Sequence, residues 1–220
     1  RLAEIHPPLA ARCLAENELA QGEPQTADLV RERLAALAAS RNAAVDARVA
    51  AGDALNLVDD KRPGVGCTAS GEPQIAWVHV PGDTVEIKQG RRPRSFTAGS
   101  FHIARYPVTN AQYAAFVRDG GYTARWRKCW DDAGWNWRVN RARSGPTQYG
   151  GAFDLPNHPV VGVSWFEAQA FCVWLAERLG CAVCLPNEAQ WLLAAQGLDD
   201  YVGSAGLGDP RNKNSGDSGL

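Results

Sequence analysis

Residues 158–191 carry the most regular pattern in the chain, and they constrain its fold most strongly. The β-branched run at 160–163 predicts a short buried strand. Ser164 and Glu167 follow with the spacing of a capping box, in which each side chain satisfies a backbone N–H at the start of a helix. The sequence therefore predicts a strand that leads directly into a helix, as in a mixed α and β fold.

The helix predicted after Ser164 has one apolar face and a defined end. Gly180 is suited to the positive φ that closes many helices. The apolar residues at helical spacing are Trp165, Ala168, Phe171, Cys172, Leu175 and Leu179. We expect Trp165 to be buried with them, so that its truncation to alanine would cost about 3–5 kcal/mol. Asn187 and Gln190 repeat the capping-box spacing and predict a second helix that ends at Gly197.

Three spaced motifs resemble those of the formylglycine-generating enzyme family, also called the sulfatase-modifying factor family. They are the segments YPVTN at 106–110, HPVVGVSW at 158–165 and LPNEAQW at 185–191. The last departs slightly from the usual family sequence, LPTEAEW, at Asn187 and Gln190. The resemblance implies a C-type-lectin-like α+β domain, of which this chain would contain the N-terminal half.

The distribution of aromatic residues divides the chain. Residues 1–60 contain 16 alanines and no aromatic residue, whereas all aromatic residues lie from Trp77 onward. The sequence predicts an Ala-rich helical segment at 1–60, similar to the end of a helical-repeat region, then a linker at 61–74 and the family domain at 75–220. The chain opens at Arg1 and has no methionine, which indicates a piece of a larger polypeptide. Strands are expected within 75–85 and 95–106.

A mixture of tryptophan and arginine marks residues 122–157. Aromatic rings offer stacking and cation–π contacts, and arginine offers paired donors to anions. The candidate ligand-binding residues are Trp126, Trp130, Trp135, Trp137 and Arg138. The alternative is that these rings pack a long irregular loop onto the domain. A net charge of −1 disfavours a nucleic-acid partner.

Six scattered cysteines favour a reducing, cytoplasmic location over a secreted disulfide scaffold. Cys181-x-x-Cys184 has the spacing of a metal or redox pair, but no second pair accompanies it. In the family this stretch is a short buried strand, so both cysteines are expected to be core residues. The sequence contains no run of 18 apolar residues, so it predicts no membrane-spanning helix.

The resemblance also implies two metal sites. Enzymes of the family use O₂ and copper held by two cysteine thiolates, and these cysteines belong to the C-terminal half of the domain, so no catalytic residue is assigned here. The tail resembles the family's segment before a calcium site, with Asn214, Ser215 and Asp217 as the nearest matches. The alternative for the tail is a turn rich in Gly, Asn and Asp.

Three functions fit one fold. The leading hypothesis is a recognition module for a protein or small-molecule ligand within a larger bacterial protein, in signalling, defence or retroelement-diversified binding. The alternative is a copper- and O₂-dependent oxidase whose catalytic cysteines lie outside this chain. The third is a structural domain that helps assembly. Copper is expected only if the oxidase hypothesis holds.

Overall fold

A computed structural model describes residues 1–16, 24–89 and 92–196. The N-terminal part is all helical, with α1 (Leu2–Ile5), α2 (Pro7–Glu16), α3 (Pro24–Ala39) and α4 (Val45–Leu57). Its core consists of small and aliphatic side chains, among them Ala11, Leu34 and Ala51, each fully buried. Alanine at these positions allows close approach of the helix axes, as the sequence predicts for residues 1–60.

In the described part of the chain, four short strands form two antiparallel ladders. Strand β1 (Trp77–Val80) pairs with β4 (Phe101–Ala104), and β2 (Asp83–Gln89) pairs with β3 (Arg92–Ala98). Val85 and Ile87 of β2 pack against the last described helix and form a small apolar cluster with it. Strands β1 and β4 lie within the predicted strand regions 75–85 and 95–106, whereas β2 and β3 extend beyond these regions, to Gln89 and back to Arg92.

The remaining elements are mainly helical. They are α5 (Asn110–Arg118), a 3₁₀ turn (Ala124–Cys129), α6 (Asp132–Asn140), a second 3₁₀ turn (Gly151–Asp154), α7 (Trp165–Leu179) and α8 (Glu188–Gln196). Helices α5 and α7 pack through an aromatic core in which the Tyr113 and Phe171 rings stack with centroids 5.1 Å apart. The predicted α+β class is confirmed.

The predicted helix ends are confirmed by hydrogen bonds. Ser164 and Glu167 form a reciprocal capping box at the start of α7, and Gly180 closes that helix with φ of 65°. Thr109 and Gln112 form the equivalent box at α5. Such signals are local, since the donor and acceptor lie within one turn of helix, and local signals can be recognised without knowledge of the tertiary fold.

Segment 61–74 is held tightly by α5. The Gln112 side-chain amide donates to the carbonyl oxygens of Gly64 and Gln74 at 3.0 and 2.6 Å. The Thr109 hydroxyl donates to the Val65 carbonyl at 2.7 Å. Gln112 and Thr109 are almost fully buried, so these bonds fix the segment against the first turn of α5.

Two predictions about strands are wrong. Residues 160–163 form no strand. The Val160 N–H donates to the Val108 carbonyl, but Gly162 has φ of 70° and so departs from the extended conformation. Residues 181–185 also form no strand, and Cys181 and Cys184 are exposed rather than buried. A β-branched run becomes a strand only when a neighbouring strand accepts its hydrogen bonds, and the described residues provide none here.

Trp165 is not a core residue, contrary to the prediction from the helical stripe. Its side chain is 58% exposed. The buried face of α7 is centred on Phe171, with Glu167, Trp174 and Leu175 beside it. At about 100° per residue, Trp165 points about 120° away from Phe171, so it lies at the edge of the apolar face rather than within it.

Among the described residues, no helix combines the length and the apolar character that a membrane span requires.

Candidate functional site

The five aromatic and arginine residues proposed as ligand contacts lie around the 3₁₀ turn and α6, but at different depths. Trp130 is 4% exposed and donates its indole N–H to the Gly121 carbonyl at 2.8 Å. It therefore packs the loop onto the core and presents almost no surface to a ligand. Trp126, Trp135, Trp137 and Arg138 are half-buried. Ligand binding at these residues stays a prediction.

Trp135 lies between two guanidinium groups. The Arg127 and Arg138 guanidinium carbons are 5.2 and 4.8 Å from the centre of its ring. Nε of Arg138 is buried and has no hydrogen-bond partner among the described residues. These contacts have the cation–π geometry that the composition suggested. They are formed within the protein, so the Trp135 ring is already in contact with two of the protein's own guanidinium groups.

Trp137, Phe166 and Trp165 form a continuous aromatic surface, which we call the aromatic edge. The Trp137 and Phe166 ring centres are 5.8 Å apart, and those of Phe166 and Trp165 are 5.5 Å apart. Arg141 places its guanidinium carbon 5.7 Å from the Trp137 ring centre. Only Trp137 of the aromatic edge belongs to the five residues predicted to bind a ligand, and the edge continues from this half-buried ring to the exposed ring of Trp165.

Arg143 connects this edge to a buried carboxylate, because its guanidinium carbon is 5.9 Å from the Trp137 ring centre and it pairs with Glu167. Glu167 is fully buried, and its Oε1 accepts from the Tyr122 hydroxyl at 2.8 Å and pairs with Nη2 of Arg143 at 3.0 Å. Its other oxygen accepts from the Ser164 backbone N–H at 2.7 Å. Arg143 also donates to the Thr147 hydroxyl and the Gly162 carbonyl. One side chain thus connects α7 to the loops before and after α6.

Two tyrosines complete the network around Glu167. The hydroxyls of Tyr113 and Tyr122 are 2.9 Å apart, and burial raises the pKa of both phenols above the ordinary value. They are therefore neutral hydrogen-bonding groups at physiological pH. Sequence reasoning identified Glu167 only as a helix cap. It missed Arg143 and Tyr122, because they lie 24 and 45 residues away along the chain.

Asp119, at the end of α5, is the second connecting carboxylate. It accepts from the Trp174 indole N–H at 2.9 Å and from Arg178 at 2.6 Å, and it pairs with Arg125 at 3.0 Å. Burial alone would raise the pKa of Asp119, but the bonds from Trp174 and Arg178 and the charge of Arg125 hold it below the ordinary value. This residue joins the end of α5 to the outer half of α7.

The described residues do not fit the copper site that the family resemblance implies. Burial raises the pKa of the Cys129 and Cys172 thiols to about 11, so both are protonated and poor metal ligands. Cys181 and Cys184 are exposed. Within the described ranges, no three side chains of His, Cys, Asp or Glu come together in a way that could hold a metal ion. The tail residues proposed for calcium, Asn214, Ser215 and Asp217, lie outside the described residues.

Comparison with known proteins connects this architecture to one family. A family model described as the sulfatase-modifying factor enzyme 1-like domain matches residues 68–218. Hercynine oxygenase of Mycolicibacterium thermoresistibile is 34% identical over 143 residues, which cover 59% of this chain and 30% of that protein. Formylglycine-generating enzyme of Thermomonospora curvata is 34% identical over 154 residues, covering 54% of this chain and 48% of the relative.

A third relative is named as an inactive protein. A Mus musculus protein named inactive C-alpha-formylglycine-generating enzyme 2 is 30% identical over 154 residues, covering 56% of this chain and 47% of that protein. The chain thus spans between 30% and 48% of the length of these three relatives. Because the family match covers more than half of the sequence, the chain belongs to the sulfatase-modifying factor enzyme 1-like family.

Proposed function

We propose that the protein is an oxygen-dependent oxidase of this family, and that the residues described here form the scaffold of its catalytic domain. The observation that carries the proposal is the match over residues 68–218, together with relatives named as an oxygenase and as a formylglycine-generating enzyme. These names favour the oxidase hypothesis over the recognition module that leads from the sequence alone.

Copper, when bound by thiolates, would supply the site at which O₂ is activated, and soft sulfur ligands suit Cu(I). Cys129 and Cys172 are buried and protonated, and no described cysteine belongs to a group of three or more side chains that could hold a metal ion. The proposal therefore requires copper ligands from outside the described residues. What the described residues contribute is a rigid support.

The support is built from the two carboxylates already described. Glu167 fixes the start of α7 to the loops around Arg143 and Gly162, and Asp119 fixes the other half of α7 to α5. A site placed on elements whose side chains are locked by such contacts keeps its geometry better than one placed on free loops. The substrate class that fits the proposal is a thiol or thiol-linked molecule, by analogy with the family.

Ligand recognition without catalysis is the second candidate, and two observations favour it. The aromatic edge ends in Trp165, which is 58% exposed beside Phe166. A relative with 30% identity is named inactive. In this case the aromatic edge would bind a flat or cationic ligand through stacking and cation–π contacts.

Oxygen consumption by the full-length protein distinguishes the two candidates. We would measure O₂ uptake after loading with Cu(I), in parallel with a copper-free sample, with a cysteine-containing peptide or with hercynine and a thiol as substrate. Substrate-dependent uptake that requires copper is the expected result. Absence of uptake with every substrate, combined with ligand binding that is lost in Trp165→Ala, would replace the oxidase proposal with the recognition proposal.

A further inference from the structure

We propose that His79 and His102 form a two-imidazole binding site for a divalent transition-metal ion on the β1–β4 ladder. The two residues are direct cross-strand partners in the antiparallel register. Residues directly opposite each other have Cβ atoms about 4.5–5.5 Å apart and point to the same face of the ladder. Both imidazoles are therefore presented together by two strands, although 23 positions separate them in the sequence.

The ring geometry suits coordination of one ion. The two imidazole centres are 5.2 Å apart, with an angle of 64° between the ring planes. Two imidazoles bound to one ion with metal–nitrogen distances of about 2.0–2.1 Å have their ring centres about 4.5 Å apart at adjacent positions of a tetragonal ion and about 5 Å apart on a tetrahedral one. The separation of the two ring centres is therefore close to the separation that binding of one ion requires.

The two histidine side chains are exposed on one face of the ladder, whereas the opposite face packs against a buried apolar cluster. Val80 and Phe101, on the opposite face of the strands, pack against the cluster formed by β2 and α8. His79 and His102 are exposed on the other face. Within the described parts of the chain, each imidazole contacts the other imidazole. The ring nitrogens of both histidines have no hydrogen-bond partner there. The nitrogens are thus available to a ligand.

The chemistry of the donors defines the class of ion. Neutral imidazole binds copper, nickel and zinc, and the affinity of such sites for divalent ions rises from nickel to copper. No third His, Cys, Asp or Glu joins the pair among the described residues. Two coordination positions or more are then left for water or for an exogenous ligand, as in metal sites that are not purely structural. This site is independent of the thiolate copper site that the oxidase proposal requires.

The test is a titration of the full chain with Cu²⁺ and with Ni²⁺, followed by calorimetry. Cys13, Cys181 and Cys184 are exposed thiols, so all proteins would carry serine at these positions to prevent competing metal binding and redox reactions. The site variants are His79→Gln and His102→Gln. The matched control is His6→Gln, which removes an exposed histidine whose Nδ1 accepts from the Leu9 N–H.

The expected result is one Cu²⁺ ion per chain, bound more tightly than Ni²⁺. Affinity should fall at least about tenfold in each site variant and stay unchanged in His6→Gln, since each site variant removes half of the protein ligands. Added Cu²⁺ should raise the melting temperature of the His6→Gln protein and not that of the site variants. Because both histidines are exposed, the metal-free melting temperatures should agree. Lack of saturable binding, or equal binding after either site substitution, would overturn the proposal.

Discussion

Glu167 is a carboxylate with no exposed surface, and it serves both as a helix cap and as the partner of Arg143. A buried ion pair gains little over a well-packed apolar pair, but removal of one partner leaves a charge without compensation. Arg143 is still partly accessible, with 20% of its side chain exposed. The cost of breaking this pair should therefore lie at the lower end of the range for buried pairs.

Substitution Glu167→Gln should lower the free energy of unfolding by about 3 kcal/mol, because Arg143 and the Ser164 N–H lose a charged acceptor. Urea unfolding at neutral pH measures this change. The matched control is Glu177→Gln on the same helix, which removes an exposed pair with Lys128 at 2.6 Å and should cost under about 1 kcal/mol. Equal effects of the two substitutions would contradict the role assigned to Glu167.

Asp119 should make the fold sensitive to acid. Because its pKa is lower in the folded protein than the ordinary 3.8, its carboxylate stabilises the fold fully above that value, and the stabilisation is lost as the pH falls through the folded-state pKa. Asp119→Asn should therefore lose less stability than the wild type when urea unfolding is repeated from neutral to acidic pH. Asp132→Asn is the matched control, because it removes an exposed carboxylate that pairs only with Arg127 among the described residues. Identical acid dependence in Asp119→Asn and wild type would contradict the assignment.

Two tryptophans of α7 should respond very differently to truncation. Trp174 is 2% exposed, and Trp174→Ala should cost about 3–5 kcal/mol through the cavity it leaves. Trp165 is 58% exposed and contacts mainly Phe166, so Trp165→Ala should cost about 1 kcal/mol. Thermal and urea unfolding of both variants measure the difference. A cost for Trp165→Ala as large as that for Trp174→Ala would restore the core placement that the helical stripe predicts.

At the scale of elements, the segment around Gly162 depends on a close approach of two backbones. Gly162 has φ of 70°, and a Cβ at this position would lie 2.5 Å from the Thr147 carbonyl oxygen. The Gly162 carbonyl also accepts from the Thr147 N–H and from Arg143, each at 2.9 Å. The turn therefore aligns the loop after α6 with the start of α7.

Gly162→Ala should destabilise the protein by about 2–5 kcal/mol, from about 1–2 kcal/mol for the left-handed backbone and about 1–3 kcal/mol for the forced contact. Gly150→Ala is the matched control, because Gly150 has φ of 80° and no atom within 4 Å of the added Cβ. It should show the backbone cost alone. Urea unfolding measures both. Equal costs would mean that the approach to Thr147 has no energetic consequence.

The elements also show which features could be predicted from the sequence. The capping boxes at Ser164 and Asn187 can be recognised in the sequence because each joins residues three positions apart, and the box at Thr109 has the same spacing. The strand expected at 160–163 was not correct, since pairing depends on a distant partner. The Glu167–Arg143 pair and the His79–His102 pair had no local signal, because only the tertiary fold brings their members together.

At the scale of the molecule, the helical segment and the family domain meet through a few polar contacts. The Asn157 side-chain amide donates to the Gly52 carbonyl and to the Asp60 carboxylate, both at 2.9 Å. His158 lies 2.9 Å from the Asp53 carboxylate. These contacts join α4 to the stretch immediately before the HPVV motif. The helical segment is thus positioned by the same region that leads into α7.

If the protein is an oxygen-dependent oxidase, as we propose, the described residues support its catalytic site and do not provide the copper ligands. We would measure copper-dependent O₂ uptake by the full-length protein and compare the wild type with a Cys181→Ser/Cys184→Ser variant. Both thiols are free and exposed, so their replacement by serine removes no buried side chain. We expect O₂ uptake at the same rate in both proteins. Loss of uptake in the variant alone would contradict the scaffold assignment, and absence of uptake in both would contradict the oxidase function.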